Sequence, residues 1–119
     1  MSATYDETCL FCRIAAGELP ATIVHSDDEV VAFRDINPQA PTHVLVIPRE
    51  HIGSAVELTP AQDHLWGQLL HVAQSIAEDE GATEAGYRLV NNVGRYGGQT
   101  VHHLHRHLLA GRQMTWPPG

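Results

Sequence analysis

Apolar positions Leu65, Leu69, Val72 and Ile76 recur at spacings of three and four. That stripe predicts an amphipathic helix. Thr59 offers an N-cap, Pro60 suits the first helical position, Gln62 completes a capping box, and Gly81 supplies a stop. A shorter helix fits residues 9–16, stopped by Gly17 with Leu19-Pro20 just beyond. Ile23–His25 and Val30–Phe33 read as strands, and Ser26-Asp27-Asp28 between them is turn chemistry, so the pair predicts a hairpin. Arg34–Pro41 is a loop with two prolines, and Val44–Ile47 a continuous apolar strand ended by Pro48. Tyr87–Asn91 reads as a strand, followed by a glycine-rich loop. Then His103-Leu104-His105-Arg106-His107-Leu108-Leu109 alternates at period two. The order α-β-β-β-α-β-β predicts an α+β fold with a mostly antiparallel sheet, one long helix and a short N-terminal helix. No repeat or linker divides the chain, so one domain over 1–119 is expected, with residues 1–8 a loose arm.

Alternation places His103, His105 and His107 on one face of an extended strand, neighbours about 7 Å apart. The run is internal and embedded in apolar residues, unlike a terminal tag. Imidazoles so placed serve as nucleophile, acid or base, or metal ligand. The loop feeding them, Asn91 to Thr100, carries Gly97-Gly98. Its amides, with Gln99, Thr100 and Asn92, are expected to cradle an anion. Cys9-x-x-Cys12 is half of a tetrahedral zinc site. A redox dithiol and a plain buried pair are the alternatives. Asp35 follows a strand end, where a carboxylate can accept both hydrogen bonds of a ribose diol, and Phe33 and Ile36 are placed to sandwich a base. A solvated Asp capping a turn is the simpler reading of that loop. His25, His64 and His71 are scattered and read as surface or packing residues. His102 falls on the opposite strand face.

Charge narrows the partners. Fourteen Asp and Glu against seven Lys and Arg give a formal net charge of -7, which argues against broad nucleic-acid binding. The chain has neither a signal-peptide pattern nor an apolar run near twenty residues, so a cytoplasmic protein with no membrane partner is expected. Two cysteines in a reducing compartment favour metal or redox chemistry over a structural disulfide.

Together these motifs resemble the histidine triad family, in its branch of small nucleotide-binding phosphoramidases. The family pattern His-φ-His-φ-His-φ-φ, with φ apolar, is matched by residues 103–109. The resemblance extends to Asp35-Ile36, Pro41-Thr42-His43, Val46 to His51, Gly97 to Thr100 and the tail Gly111 to Gly119. It implies a homodimer whose sheets join into one. It further implies hydrolysis of the P–N bond of purine nucleoside 5′-phosphoramidates and release of AMP-type products from aminoacyl adenylates. His105 would be the nucleophile forming a nucleotidyl-histidine. His107 would contact the phosphate, with His103 supporting. Asp35 would hold the ribose, with Ile36 against the base. Asn92, Gly98, Gln99 and Thr100 would contact phosphate and leaving group, and His43 would support the cluster. Members that keep Cys-x-x-Cys bind structural zinc, which implies Cys9, Cys12, His51 and His103 as ligands. A zinc-dependent hydrolase using the three histidines as catalytic ligands, and a nucleotide-sensing module without catalysis, are the rivals. Arg106 departs from the pattern. Because an unpaired buried guanidinium is costly, its face is expected to be open or to offer a carboxylate.

Overall fold

The structure, a computed structural model, describes residues 4–119. In chain order it comprises α1 (Leu10–Ala15), β1 (Ile23–Ser26), β2 (Val30–Arg34), β3 (Thr42–Pro48), α2 (Asp63–Asp79), β4 (Tyr87–Val90) and β5 (Arg106–Ala110). Two single-turn 3₁₀ segments, Ala55–Glu57 and Pro60–Gln62, lead into α2. The five strands form one antiparallel sheet in the order β1-β2-β3-β5-β4. The α+β expectation holds, and every predicted element is present.

Local chemistry explains the elements. Asp27 Oδ1 accepts from the backbone N–H groups of Glu29 and Val30 at 2.8 Å each, closing the β1–β2 hairpin. The backbone N–H of Thr59 donates to Gln62 Oε1 at 3.0 Å, so the expected capping residues open the 3₁₀ turn that feeds α2. Leu65, Leu69, Val72 and Ile76 are all buried, against Val30, Ala32, Val44, Val46 and Leu108 on one sheet face. The other face carries Val31, Phe33, Leu45 and Ile47, packed against Phe11, Cys9 and Cys12 of the α1 region. β2 and β3 are therefore covered on both sides, and read as unbroken apolar runs rather than alternating ones.

Two expectations change. The histidine run is not one strand: β5 begins at Arg106, and His103 and His105 precede it. The ladder ends at the Val46↔Arg106 pair, because Pro48 on β3 has no N–H to continue it. The chain bends away, and Leu104 N donates to Ile52 O instead. The arm expected over 1–8 is tied down from Thr4 on. His51 N donates to Thr4 O at 3.1 Å, and the Tyr5 hydroxyl donates to the Glu18 carboxylate. Residues 1–3 lie outside the described part.

Candidate active site

His43, His105 and His107 gather on the sheet face that α1 covers. The register pairs Leu45 with His107, so the β3 and β5 side chains of that parity share the face. His105 and His107 rings lie 5.1 Å apart, and Phe11 from α1 packs edge-on to His105 at 5.2 Å. The bend before β5 keeps His105 on the histidine face without a strand to carry it.

Hydrogen bonds fix which ring nitrogen carries the proton, since a carbonyl only accepts and a backbone N–H only donates. His105 Nδ1 lies 2.7 Å from His103 O, so Nδ1 holds the hydrogen and the Nε2 lone pair is free. His43 Nδ1 accepts from Gln39 N at 3.0 Å, so its Nε2–H donates to His107 Nδ1 at 2.9 Å. His107 thus keeps its own hydrogen on Nε2. Asp35 Oδ2 lies 3.5 Å from His43 Nε2, and Asp35 Oδ1 accepts from Asn37 N. His43 therefore sets the tautomer of His107.

Burial lowers the pKa of His43 below its ordinary value and pushes that of His107 down to about 4, helped in the second case by its neighbours His105 and His43. Both stay neutral at physiological pH. In the unfolded chain each titrates near 6.5. At His107, between pH 6.5 and about 4, the unfolded chain takes up a proton that the folded chain refuses, and His43 acts in the same direction. Stability present above pH 6.5 is thus lost as pH falls through that window. For His107, part-exposed, the loss is on the order of 2 kcal/mol. Melting temperatures from pH 7 to 4 should fall, and the His107→Gln variant should fall less steeply. Equal slopes would remove His107 as the cause.

His105 and His107 open onto a pocket of about 440 Å³ whose lining also includes Phe33, Asp35, Ile36 and Thr100. Phe33 is buried edge-on to Phe11, and Ile36 stands 97% exposed at the rim. Leu10, Phe11, Ile14, Leu19, Pro20 and Ala21 complete an apolar wall that sequence reading missed. No chemistry-bearing atom marks those residues, so only their packing reveals them.

Of the loop residues expected at the phosphate, only Thr100 lines this pocket. Gly98 N donates to Arg95 O, Gln99 N to Gly94 O and Asn92 Nδ2 to Gly97 O. Gln99 Nε2 donates to Gly53 O and Val101 O. The glycines are required for the turn. Gly98 has φ +79°, and a Cβ on Gly97 would collide with the Val93 backbone.

Beside the pocket, Cys9, Cys12, His51 and His103 each aim one ligand atom at a common point, all within 4.8 Å of one another. His103 Nδ1 lies 3.3 Å from Cys9 Sγ and 3.6 Å from Cys12 Sγ, and His51 Nδ1 lies 3.3 Å from Cys12 Sγ. Ligands bonded at 2.0–2.3 Å to a tetrahedral ion sit roughly 3.5 Å apart, so the spacing fits zinc. His103 Nε2 donates to Pro48 O at 2.8 Å, which leaves Nδ1 unprotonated toward the sulfurs, as a ligand must be. Burial takes His103 down to about 4 and pushes the Cys12 thiol up to about 11. A divalent cation would displace that thiol proton. His103 faces this group, so the three histidines do not converge on one ion. That arrangement disfavours the reading in which all three are catalytic metal ligands.

His25, His64 and His71 make partly or largely exposed contacts with Asp27, Glu29 and Gln74. His102 is exposed, near Glu57. None reaches the pocket.

Fold and site together define a class: an α+β protein with neutral histidines at the end of an apolar, carboxylate-rimmed pocket, beside a Cys₂His₂ group. Residues 16–114 match the HIT domain, and the chain belongs to that family. It is 47% identical over 108 residues to the purine nucleoside phosphoramidase of Escherichia coli, covering 91% of each chain. It is 49% identical over 116 residues to the 14 kDa zinc-binding protein of Zea mays, covering 96% of this chain and 90% of that protein. A HIT family hydrolase from Legionella pneumophila superposes with TM-score 0.92 at 55% identity, over 93% of this chain and 99% of that one. Among the described residues no helix is long and apolar enough to cross a membrane.

Proposed function

We propose that this chain hydrolyses the P–N bond of purine nucleoside 5′-phosphoramidates, and the P–O bond of the acyl phosphate in related aminoacyl adenylates, through a nucleotidyl-histidine on His105. The observation that carries the reading is the His105 tautomer. Its Nδ1–H is spent on His103 O, so Nε2 presents a free lone pair at the pocket. Nε2 attacks the α-phosphorus in line and the P–N bond breaks. The leaving amine takes the bonding pair and a proton from solvent water. Water then cleaves the phosphohistidine and releases the nucleoside monophosphate. Two easier displacements replace one hard one. His107 Nε2–H, set by His43, donates to the phosphoryl oxygens as charge builds there, and Thr100 adds a hydroxyl. Asp35 accepts from the ribose diol, and Phe33, Ile36 and the α1 wall take the base. Asn92, Gly98 and Gln99 act by shaping the loop that delivers Thr100.

Zinc at Cys9, Cys12, His51 and His103 is structural in this reading, holding α1 to the sheet. The chain is proposed to act in the cytoplasm as a homodimer with joined sheets. β4 supports this: as an edge strand it leaves backbone groups unpaired, beside an open cleft lined by Tyr87, Arg88 and Gly111 to Met114.

The test is trapping. Protein mixed with adenosine 5′-phosphoramidate labelled at phosphorus, then quenched in base, should carry label in a peptide containing His105. Turnover without any labelled histidine would overturn the covalent route. Absence of turnover would favour the nucleotide-sensing module.

A further inference from the structure

Arg106 occupies a position that is apolar in the family pattern, and it is only 4% exposed. Neither the open face nor the carboxylate expected for it is found. Among the described residues it makes no ion pair. Its Nε donates to Asn91 Oδ1 at 2.8 Å, and its Cζ sits 4.3 Å above the centroid of the Trp66 ring. Trp66 on α2 lids the cation and contributes a cation–π contact. Burial lowers the guanidinium pKa from its ordinary value.

The other end of Asn91 reaches the histidine bend: Nδ2 donates to His105 O at 2.9 Å. A side-chain amide can turn end for end. Arg has five donors and no acceptor, so it accepts only the oxygen end of Asn91 as neighbour. The amino end is thereby fixed on His105 O. His105 needs such a partner because it stands just outside the sheet. The β4–β5 ladder ends at Val90↔His107, and Asn91 follows β4 as His105 precedes β5. The Asn91 side chain replaces the ladder bond that the bend gives up.

We propose that Asn91, locked by Arg106 beneath Trp66, is a positioning residue that holds the backbone of His105 and so aims its Nε2. The proposal rests on His105 being the nucleophile. Asn91→Asp separates positioning from mere structure. The carboxylate keeps the shape and gains an ion pair with Arg106, but cannot donate to His105 O. The variant should melt no lower than wild type and bind AMP within about 3-fold of it. Its kcat on adenosine 5′-phosphoramidate should fall about 10- to 100-fold, the scale of an ångström-level misplacement. Unchanged kcat in the folded variant overturns the proposal. Should Asn91→Asp fail to fold, Arg106→Met, which restores an apolar residue, is read the same way. Should wild type itself prove inactive, the functional reading fails, and ¹⁵N NMR of the His105 ring then decides the strut. A single Nδ1–H tautomer in wild type and a mixture in Asn91→Asp supports it. The same tautomer in both overturns it.

Discussion

Replacing His105 with asparagine is expected to lower turnover of adenosine 5′-phosphoramidate by at least ~10³-fold while leaving the fold and AMP binding nearly intact. The choice of residue matters. An asparagine amino group takes over the donor role of His105 Nδ1 toward His103 O, so the bend before β5 keeps its bond. What disappears is Nε2, the one atom the covalent route cannot do without. The variant also forfeits edge contacts with the Phe11 and His107 rings, at about 1 kcal/mol each. A small fall in melting temperature is therefore expected and does not count against the reading. Steady-state kinetics together with calorimetric AMP binding make the test. Full turnover in a folded His105→Asn protein would exclude the covalent route, because no other histidine in the pocket has a free nitrogen aimed the same way. His107 uses Nδ1 to accept from His43 and Nε2–H as a donor.

Much of this site was legible in the sequence, and the reasons differ by residue. His103, His105 and His107 announced themselves by alternation, which survives on the same side of the sheet even though the strand begins only at Arg106. The division among them was less visible, since it depends on hydrogen bonds to His103 O, Pro48 O and Gln39 N that no spacing encodes. The Gly97-Gly98 turn was foreseen as an anion cradle because glycine freedom is common to both uses. In the structure the Gly98 N–H is spent on Arg95 O within the loop. Phe11 and the rest of the apolar wall carried no local mark: a phenylalanine between two cysteines looks like any buried residue until α1 is laid against β2 and β3. The sequence pattern makes Asn91 the last residue of a strand. Its value comes from standing one step beyond the ladder, where its side chain is free to bond the backbone opposite. Arg106 breaks the apolar pattern in the sequence, but its partners, an amide and an indole, are 15 and 40 positions away in the chain and only the fold brings them together.

Cys12→Ser is expected to abolish tight zinc binding and to lower the melting temperature by on the order of 10–15 °C, a loss of about 3–5 kcal/mol. The reasoning starts from α1. At six residues it is too short to persist without anchors. Phe11 against Phe33 supplies one, and Arg49, whose Nη1 donates to Ala15 O at 2.7 Å, supplies a second. The four-ligand group is the third and the strongest. With the proposed zinc bound, it would tie the N-cap residue Cys9 and the helical Cys12 to His51 beyond β3 and His103 before β5. Without the ion, two buried thiols, the buried His103 ring and the half-buried His51 ring remain face to face with poor hydrogen bonds between them. The sheet and α2 have their own core, so the variant should still fold. The effect on activity follows the same route. Leu10, Phe11 and Ile14 wall the pocket, so loosening α1 should raise KM more than it lowers the single-turnover rate at saturating substrate, because His105 is not a ligand. Elemental analysis of wild type should find one zinc per chain and of Cys12→Ser almost none, with calorimetry giving the two melting temperatures. Wild-type protein that folds equally well with no metal would defeat the claim. A chelator that stops chemistry in protein still folded and saturated would instead give the ion a part in the reaction.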